Sequence, residues 1–324
     1  MATCDRAKIN TLSMPRRQAS GAPEVSVVIP TYERCDVVTR AVDSVLRQDM
    51  GDLEVIVVDD GSTDSTERAL SLGEDDRVSY VRSTHLGAAA ARNIGARRAQ
   101  ARWLTFLDSD DTVTSDWLSS MLAETSPPGT VLVSCGYSER ADGRGAIRRQ
   151  RLPRPASAAI GPITELISTG GTYLVLRDLF LDVGGFDPNQ PAAQHRELAL
   201  RLGPTLVDRG LRAGAVMRPL VERWVGREDQ IRSDDAAVLA GASRILDRHQ
   251  DRLALDPRLL GETAASAAYR AVRLGNFAEA RRLMRTAVRA HPQKLRHWAR
   301  LGALVAPGLV RRRALRRGRA YTNR

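Results

Sequence analysis

Two short runs of aspartate in this sequence of 324 residues are placed where carboxylates could do chemistry. They are residues 59–60 (DD) and residues 108–111 (DSDD). Carboxylates at positions i and i+2 of a loop match the hard oxygen ligands that Mg²⁺ or Mn²⁺ accepts, and they leave coordination positions for phosphate oxygens and water. An acidic turn that caps the following helix is the alternative, so residues 108–111 have two interpretations.

The elements that must position these aspartates alternate between strands and helices. Apolar runs predict strands at residues 25–30, 54–59, 78–81, 102–107 and 131–135, and the segments between them predict helices at residues 37–46, 87–101 and 115–124. This alternation favours an α/β fold with a mostly parallel, doubly wound sheet flanked by helices. Ligands bind at the carboxyl ends of the strands in such sheets, and both aspartate runs fall at that edge.

The first aspartate run continues into Gly61 and Ser62, and this segment also has two interpretations. It could form a turn and cap a helix, or its carboxylates could accept hydrogen bonds from a nucleotide base or ribose. The sequence has no GxGxxG after the first strand and no GxxxxGK[ST]. Nucleotide binding would therefore depend on carboxylates and a bridging metal.

The second half of the sequence changes character twice. Residues 141–162 are rich in Arg, Pro and Ala, which predicts a mobile loop or a linker. A strand at residues 172–176 and a helix at residues 178–183 follow, and another helix begins at Glu197. Beyond Asp234 the pattern is helical throughout.

Composition indicates a globular protein in a reducing compartment. Hydrophobic residues make up 43% of the chain, which is enough for a substantial core. The cysteines are Cys4, Cys35 and Cys135, which are far apart and odd in number, as expected of reduced thiols in the cytoplasm. Residues 1–24 have no apolar h-region, and no stretch reaches the ~20 apolar residues of a membrane span.

The positive charge is concentrated at the C-terminal end. Of the net +11, residues 270–324 contribute 16 Lys and Arg against one acid, Glu279. Such a segment suits nucleic acid, anionic lipid or an acidic partner. Nucleic acid is disfavoured because only 4% of residues are aromatic and no stacking motif accompanies the arginines. We expect residues 311–319 (RRRALRRGR) to contact the anionic inner face of the plasma membrane, at roughly 1 kcal/mol per basic residue.

The same region contains spacing typical of tetratricopeptide repeats. The second half of one repeat and the start of the next are matched by Gly275, Phe277, Ala280, Ala287 and Pro292, and then by Trp298, Leu301 and Gly302. These helices either form a hairpin that binds a partner or dock on the preceding domain. Docking is favoured, because about three repeats are needed for independent stability.

Four segments together resemble the family 2 glycosyltransferases of the GT-A fold. They are residues 25–34 (VSVVIPTYER), 55–64 (VIVVDDGSTD), 87–99 (GAAAARNIGARRA) and 103–111 (WLTFLDSDD). Later GGFD (184–187) and LALR (198–201) segments extend the resemblance over about residues 23–215. We therefore predict three regions: a disordered leader (1–22), a GT-A catalytic domain (23–233) and a helical C-terminal region with a basic tail (234–324).

The resemblance implies a nucleotide-diphosphate sugar as donor, most often a UDP-sugar, and transfer with inversion at the anomeric carbon. Pro30, Thr31 and Tyr32 would lie beside the base, Asp59 would bond to the base, and Arg92 would approach the nucleotide. The acceptor hydroxyl is unknown. Its pathway is expected to be cell-envelope polysaccharide, glycolipid or glycosylated metabolite synthesis.

The resemblance also implies a metal site. Asp108 would meet the ribose or the water shell of the metal, and Asp110 would hold Mn²⁺ or Mg²⁺ on the diphosphate. A cation that spreads the charge of the departing diphosphate lowers the barrier to transfer.

One departure from the family pattern affects the catalytic base. Before LALR the family usually carries Glu-Asp, whose aspartate deprotonates the acceptor, whereas this chain has Gln194-His195. A neutral imidazole can take a proton near pH 7, so His195 is the predicted base. Otherwise the base is Glu197 or Asp187, or it is absent. In the last case the protein would be a catalytically impaired protein that binds nucleotide sugars on the same fold.

Overall fold

A computed structural model describes residues 21–70, 75–141, 147–153, 169–225 and 234–305. These residues divide into two compact units. The first contains every strand of the described chain and the helices before residue 209, and the second contains residues 191–193 and the helices after residue 234. The predicted leader is outside the described residues except for positions 21 and 22, and the arginine cluster at residues 311–319 is outside them altogether.

The first unit begins with the predicted strand–helix alternation. Its strands are β1 (Val25–Thr31), β2 (Leu53–Asp59), β3 (Val78–Arg82) and β4 (Trp103–Phe106), and its helices are α1 (Val38–Leu46), α2 (Thr66–Leu70) and α3 (Ala88–Arg98). The strands are parallel in the order β3-β2-β1-β4. Every residue of β1 is buried, as expected of a central parallel strand covered on both faces.

The rest of the first unit completes a mixed sheet. Its elements are β5 (Thr112–Val113), α4 (Trp117–Ala123), β6 (Thr130–Ala141), β7 (Ile147–Arg151), β8 (Tyr173–Leu176), α5 (Arg177–Asp182), α6 (Gln194–Asp208) and β9 (Arg212–Val225). The order continues as β4-β8-β6-β9-β5, with β7 beside β6. Strand β8 is antiparallel to both neighbours, whereas β6 and β9 are parallel. The α/β prediction is confirmed. A continuous parallel arrangement is limited to the four adjacent strands β3-β2-β1-β4.

Helix α3 ends earlier than its sequence pattern predicts. The pattern runs to residue 101, but Ala99 is already extended, with φ −53° and ψ 136°. The Gln100 amide donates to the Glu54 carboxylate at 2.7 Å, and the Ala101 amide donates to the Ser26 hydroxyl at 3.1 Å. Side chains of β1 and β2 thus bind the amides that would continue the helix, and the chain turns into β4.

Strand β7 lies in the segment expected to be a loop or linker. All five of its residues are exposed, so it has no alternating apolar pattern, and pairing with β6 defines it. Residues 142–146 and 154–162 of that segment are outside the described residues. The long strand β9 was likewise not anticipated from the sequence.

A glycine places α3 close to β1. A Cβ at Gly95 would overlap the Val28 side chain, so the backbone of α3 rests directly on the central strand. Arg92 is one turn earlier, toward the amino end of α3 and therefore toward the carboxyl edge of the parallel strands. The packing of one glycine thus directs an arginine to the predicted site.

The second unit is helical, as predicted. Its helices are α7 (Asp235–Arg248), α8 (Gln250–Ala254), α9 (Pro257–Arg273), α10 (Phe277–Ala290) and α11 (Leu295–Val305). Alanines of α9 and α10 form much of its core. The tetratricopeptide assignment stays a prediction. Across the described residues, none of the helices has the length and apolar content to cross a membrane.

Candidate active site

Both aspartate runs emerge beside the carboxyl end of β1. On one side, the Asp60 amide donates to the Thr31 carbonyl at 2.8 Å. On the other side, the Leu107 amide donates to the Val28 carbonyl at 3.0 Å, and Asp108 follows directly. The order β2-β1-β4 therefore brings residues 59–60 and 108–111 to one edge of the sheet.

Asp59 is fully buried, and both of its carboxylate oxygens accept hydrogen bonds from the protein. The Ser62 amide donates to Oδ1 at 2.8 Å, and the Tyr80 hydroxyl donates to Oδ2 at 2.5 Å. These contacts hold the turn that follows β2. A nucleotide base that bonds to Asp59 would have to share a carboxylate oxygen that already accepts a hydrogen bond from Ser62 or Tyr80. The role of Asp59 in base binding stays a prediction.

Asp60 fixes the loop that leads into α3. Its carboxylate accepts hydrogen bonds from the Ser83 hydroxyl at 2.5 Å, the Leu86 amide at 2.7 Å and the Gly87 amide at 2.6 Å. Gly87 has φ 90°, which glycine adopts readily, and it directly precedes α3. Asp60 therefore positions the loop that carries His85.

The predicted base-binding residues differ in exposure. Pro30 and Thr31 are buried, and the Thr31 hydroxyl has no hydrogen-bond partner among the described residues. Tyr32 is 43% exposed, and its ring lies 4.3 Å from the His85 ring, centroid to centroid. Exposed aromatic rings offer a stacking surface, so Tyr32 and His85 could contact a base directly.

Arg92 joins three parts of the site. Its guanidinium donates to the Asp108 carboxylate at 2.6 Å and to the Gln194 side-chain oxygen at 2.7 Å. The same group lies 5.5 Å from the centre of the Phe186 ring. Because a buried charge needs a partner, this pairing explains how α3, the 108–111 loop and the start of α6 are held together.

The 108–111 loop concentrates negative charge. Burial raises the pKa of the Asp108 carboxyl, but the neighbouring groups, with Arg92 first among them, together bring it below its ordinary value. Burial and the charges of Asp110 and Asp108 raise the pKa of Asp111 well above its ordinary value. The three carboxylates thus repel one another, and a bound cation would relieve that repulsion.

Arg40 and Trp224 contact the 108–111 loop and each other. Arg40 donates to the Asp110 carbonyl at 3.2 Å, and its guanidinium stacks 4.4 Å from the centre of the Trp224 ring. The Trp224 amide in turn donates to the Asp111 carboxylate at 3.1 Å. The backbone of the acidic loop is therefore held in place.

Arg223 adds a second positive charge to the acidic loop. Its charge lowers the pKa values of Asp108 and Asp111, although it is not the main influence on either. The guanidinium lies 4.7 Å from the centre of the Tyr137 ring and 3.6 Å from the Glu139 carboxylate. Its Nε is buried and has no hydrogen-bond partner within the described chain. Arg223 is thus well placed to meet an anion bound at this edge.

His195 is buried among aromatic rings. Its Nδ1 lies 3.1 Å from the Tyr173 hydroxyl, its Nε2 has no hydrogen-bond partner among the described residues, and the Phe186 ring stands edge-on at 5.0 Å. Burial first, and the Arg92 charge second, lower the pKa of His195 to about 3. The imidazole is therefore neutral near pH 7 but a weak base. The assignment of His195 as catalytic base stays a prediction.

The alternative bases have contacts of their own. Glu197 is fully buried and pairs with Arg201 at 2.6 Å within α6. Asp187 accepts a hydrogen bond from the Asn189 amide at 2.9 Å in the turn after α5. Glu197 is thus part of a buried ion pair, whereas Asp187 shapes a surface turn.

Residues 26–184 match the model of the family described as Glycosyl transferase family 2. This region is a family 2 glycosyltransferase domain. The four sequence segments that resembled the family fall within or at the edge of the matched range.

Curated relatives match only part of the chain. An uncharacterized glycosyltransferase of Rickettsia felis is 38% identical over 120 residues, covering 37% of this chain and 19% of that protein. The succinoglycan biosynthesis protein ExoO of Rhizobium meliloti is 38% identical over 108 residues, covering 33% and 31%. Validoxylamine A glucosyltransferase of Streptomyces hygroscopicus is 41% identical over 125 residues, covering 36% and 30%. The chain therefore matches less than a third of the length of each of these relatives.

Solved structures confirm the GT-A fold. The structure of S. aureus TarS residues 1–349 in complex with UDP-GlcNAc is 18% identical, with a TM-score of 0.57, covering 87% of this chain and 90% of that chain. The mannosyltransferase PcManGT from Pyrobaculum calidifontis in complex with GDP-Man and Mn²⁺ is 22% identical, with a TM-score of 0.54, covering 88% and 85%. At these identities the likeness establishes the fold alone.

The metal assignment in the family 2 domain stays a prediction. In the part of the chain that the structure describes, no group of three or more His, Cys, Asp or Glu side chains is arranged to hold a metal ion. The charge repulsion within residues 108–111 nevertheless fits a cation, and Asp110 is half-buried. Its carboxylate remains the predicted ligand.

Three residues around the acidic loop were missed by sequence reasoning. They are Arg40, Arg223 and Trp224. Arg40 is on α1, whose apolar spacing says nothing about its polar face, and the other two end a strand that no periodic pattern marked. Only the sheet order, which places β9 beside β5, brings residues 223 and 224 to the acidic loop.

Proposed function

We propose that the protein transfers a sugar from a nucleotide-diphosphate sugar to an acceptor hydroxyl, with inversion at the anomeric carbon. The observation that carries this proposal is the meeting of Asp59–Asp60, Arg92 and residues 108–111 at one edge of the family 2 domain. Family membership and the solved complexes of TarS with UDP-GlcNAc and PcManGT with GDP-Man support a nucleotide sugar. A UDP-sugar is the proposed donor.

The donor nucleotide would lie along the end of β1. Tyr32 and His85 offer exposed rings against which a base can stack, at the end of the strand that also carries Pro30 and Thr31. Asp59, held by Ser62 and Tyr80, would bond to the base. The diphosphate would then extend toward residues 108–111.

The diphosphate would lie near a cation held by carboxylates and near an arginine. Asp110 would hold Mg²⁺ or Mn²⁺, with Asp108 at the ribose or the water shell of the metal, and that cation would supply the positive charge that stabilises the leaving diphosphate. Arg92 keeps Asp108 ionised and oriented. Arg223 presents a guanidinium to the same loop, where it would attract the phosphate oxygens.

The acceptor hydroxyl would lose its proton on the α6 side of the site. His195 would accept it through Nε2, which has no other hydrogen-bond partner within the described residues. The pKa of about 3 makes this a weak base, so we expect slow transfer. The same value favours a second function, in which the protein binds nucleotide sugars and turns them over poorly.

Thermal-shift measurements with UDP, GDP and their sugars, each with and without Mn²⁺, would test the donor site. We expect UDP with Mn²⁺ to raise the unfolding midpoint, because a ligand that binds only the native state stabilises it. Asp110→Asn should reduce that affinity by about tenfold or more, since it removes a metal ligand. Asp178→Asn, at a carboxylate whose side chain is 91% exposed, is the matched control.

Turnover distinguishes the two functions. Release of free sugar from the donor, measured with Mn²⁺, should be detectable if the protein is a transferase, and binding without release would support the second function. His195→Gln should slow transfer by about 10²-fold or more if His195 is the base. Unchanged affinity and turnover in Asp110→Asn would contradict the metal assignment.

The cellular setting is also a proposal. Among the described residues, Cys35 and Cys135 are unpaired thiols, which supports a reducing, cytoplasmic location. A donor made of nucleotide and sugar and an acceptor in cell-envelope polysaccharide, glycolipid or a glycosylated metabolite would fit that location. Deleting residues 308–324 should weaken binding to anionic vesicles if the C-terminal arginines contact the membrane.

A further inference from the structure

Helix α11 has apolar side chains on two different faces. Its inner face places His297 and Leu304 in the core of the second unit, with Leu301 packed beside the alanine-rich cluster. Its outer face exposes Leu295 by 79% and Val305 by 63%. One face therefore explains how the helix docks, and the other has no role in that packing.

The outer residues form one continuous stripe. Leu295, Trp298, Gly302 and Val305 are spaced by three, four and three residues, so they lie on the same side of the helix. Trp298 is 51% exposed, and its indole N–H donates to the Pro292 carbonyl at 2.9 Å. A Cβ at Gly302 would meet nothing within 4 Å, so no other described residue covers the middle of the stripe.

Positive charge lies on a different side of the same helix. Arg296 and Arg300 are both exposed, each one or two positions from a stripe residue, and α11 contains no acidic residue. From residue 280 to residue 324 the sequence contains fourteen Lys and Arg and no Asp or Glu. The exposed leucine, valine and tryptophan thus belong to a strongly basic part of the sequence.

We propose that the outer stripe of α11 (Leu295, Trp298, Gly302 and Val305) binds the surface of an anionic lipid bilayer. An apolar face with a tryptophan, on a helix whose charged residues are all basic, suits the boundary between the headgroups and acyl chains of an anionic bilayer. A second copy of this chain fits poorly, because two such faces would bring like charges together. This inference does not depend on the proposed glycosyl transfer.

Vesicle sedimentation with the full chain tests the proposal. The probes are vesicles of phosphatidylcholine alone and vesicles of phosphatidylcholine and phosphatidylglycerol in equal parts. We expect binding to the anionic vesicles only. Replacing Leu295, Trp298 and Val305 together by Ser should weaken that binding more than about tenfold, since the apolar contact is lost. Replacing Arg296 and Arg300 together by Gln should weaken it about fivefold, since both charges attract the anionic surface from another side of the helix.

Three measurements separate this contact from other causes of binding. Leu255→Ser, at a leucine of the same unit that is 58% exposed, is the matched control and should bind as the parent does. Lipids brominated in their acyl chains should quench the tryptophan fluorescence of the parent more than that of Trp298→Phe, because the Trp298 indole enters the bilayer. The thermal midpoint of each variant shows that it remains folded.

Three outcomes would overturn the proposal. The first is anionic-vesicle binding that the triple serine variant leaves unchanged. The second is binding without any quenching that depends on Trp298, which would indicate attraction by the other arginines alone. The third is self-association of the parent that the triple variant abolishes, or capture of an acidic peptide in preference to the vesicles, since either would assign the stripe to a protein partner.

Discussion

The Arg92 guanidinium, on helix α3, donates a 2.6 Å hydrogen bond to the carboxylate of Asp108, which lies in the loop after β4. Arg92 is 6% exposed, whereas the Asp108 side chain is 30% exposed. One end of this ion pair is thus fixed in the protein and the other faces the site. The pair connects the stability of the domain with the orientation of a carboxylate that is predicted to meet the donor.

Arg92→Met should destabilise the protein by about 2 kcal/mol, because it leaves the Asp108 charge without its main partner in a partly screened position. Urea unfolding of Arg92→Met, Asp108→Asn and the double variant measures the coupling. We expect a coupling free energy of about 1 kcal/mol, as for other residues in direct contact. Strictly additive effects of the two substitutions would show that the pair contributes no net stability.

Acid should destabilise the protein through His195. Its pKa is lowered from 6.5 to about 3, so the folded state resists protonation that the unfolded chain accepts. This stability is fully present above pH 6.5 and is lost as the pH falls toward 3. At pH 5 the loss should reach about 2 kcal/mol, from 1.36 kcal/mol per pH unit.

His195→Gln should remove this dependence, because an amide does not titrate and can still bond to the Tyr173 hydroxyl. Urea midpoints of parent and variant, compared at neutral pH and near pH 5, provide the measurement. His249→Gln, at another buried histidine, is the matched control. If the urea midpoints of the parent and of His195→Gln change equally with pH, burial does not lower the pKa of His195 as assigned.

Arg223 should act on the diphosphate through its charge. Arg223→Gln removes a charge that faces the Asp108–Asp111 loop, so the affinity for UDP with Mn²⁺ should fall by about tenfold. Arg218→Gln removes an arginine from the same strand, where its pair with Asp116 is largely exposed, and should have little effect.

Calorimetric titration of UDP and of uridine separates a phosphate contact from a general disturbance of the site. We expect Arg223→Gln to weaken UDP binding and leave uridine binding unchanged. Equal loss for both ligands would indicate that Arg223 shapes the whole site. No change for either would remove it from the donor site.

The sequence predicts the parallel half of the sheet well because that half is buried on both faces. The continuous apolar runs of β1 and β2 leave no polar face, and a strand ending in aspartate must then place it at the carboxyl edge. The meeting of Asp59 and Asp108 was therefore predictable. Strand β7 was not, since its five exposed residues have no apolar pattern.

The remaining part of the site depends on contacts between distant segments. Trp224 reaches Asp111 across 113 residues, and nothing local to either residue signals that contact. The pKa of His195 depends on burial beside Phe186 and Tyr173, which are on other elements. Residue type predicted an imidazole near the acceptor, whereas its basicity is a property of the packed structure.

The contact of Gly95 with Val28 offers a test of how α3 positions Arg92. Gly95→Ala should destabilise the protein by about 1–3 kcal/mol, because the new methyl group would overlap the Val28 side chain. Adding Val28→Ala should recover part of this loss by making room, so the double variant should be more stable than the sum of the single effects predicts.

Gly51→Ala, where a Cβ would meet nothing within 4 Å, is the matched control. Urea unfolding measures stability, and UDP titration measures whether Arg92 keeps its place. If Gly95→Ala proves as stable as the parent, α3 does not rest on β1 through this glycine, and the position of Arg92 must be set by its bonds to Asp108 and Gln194 alone.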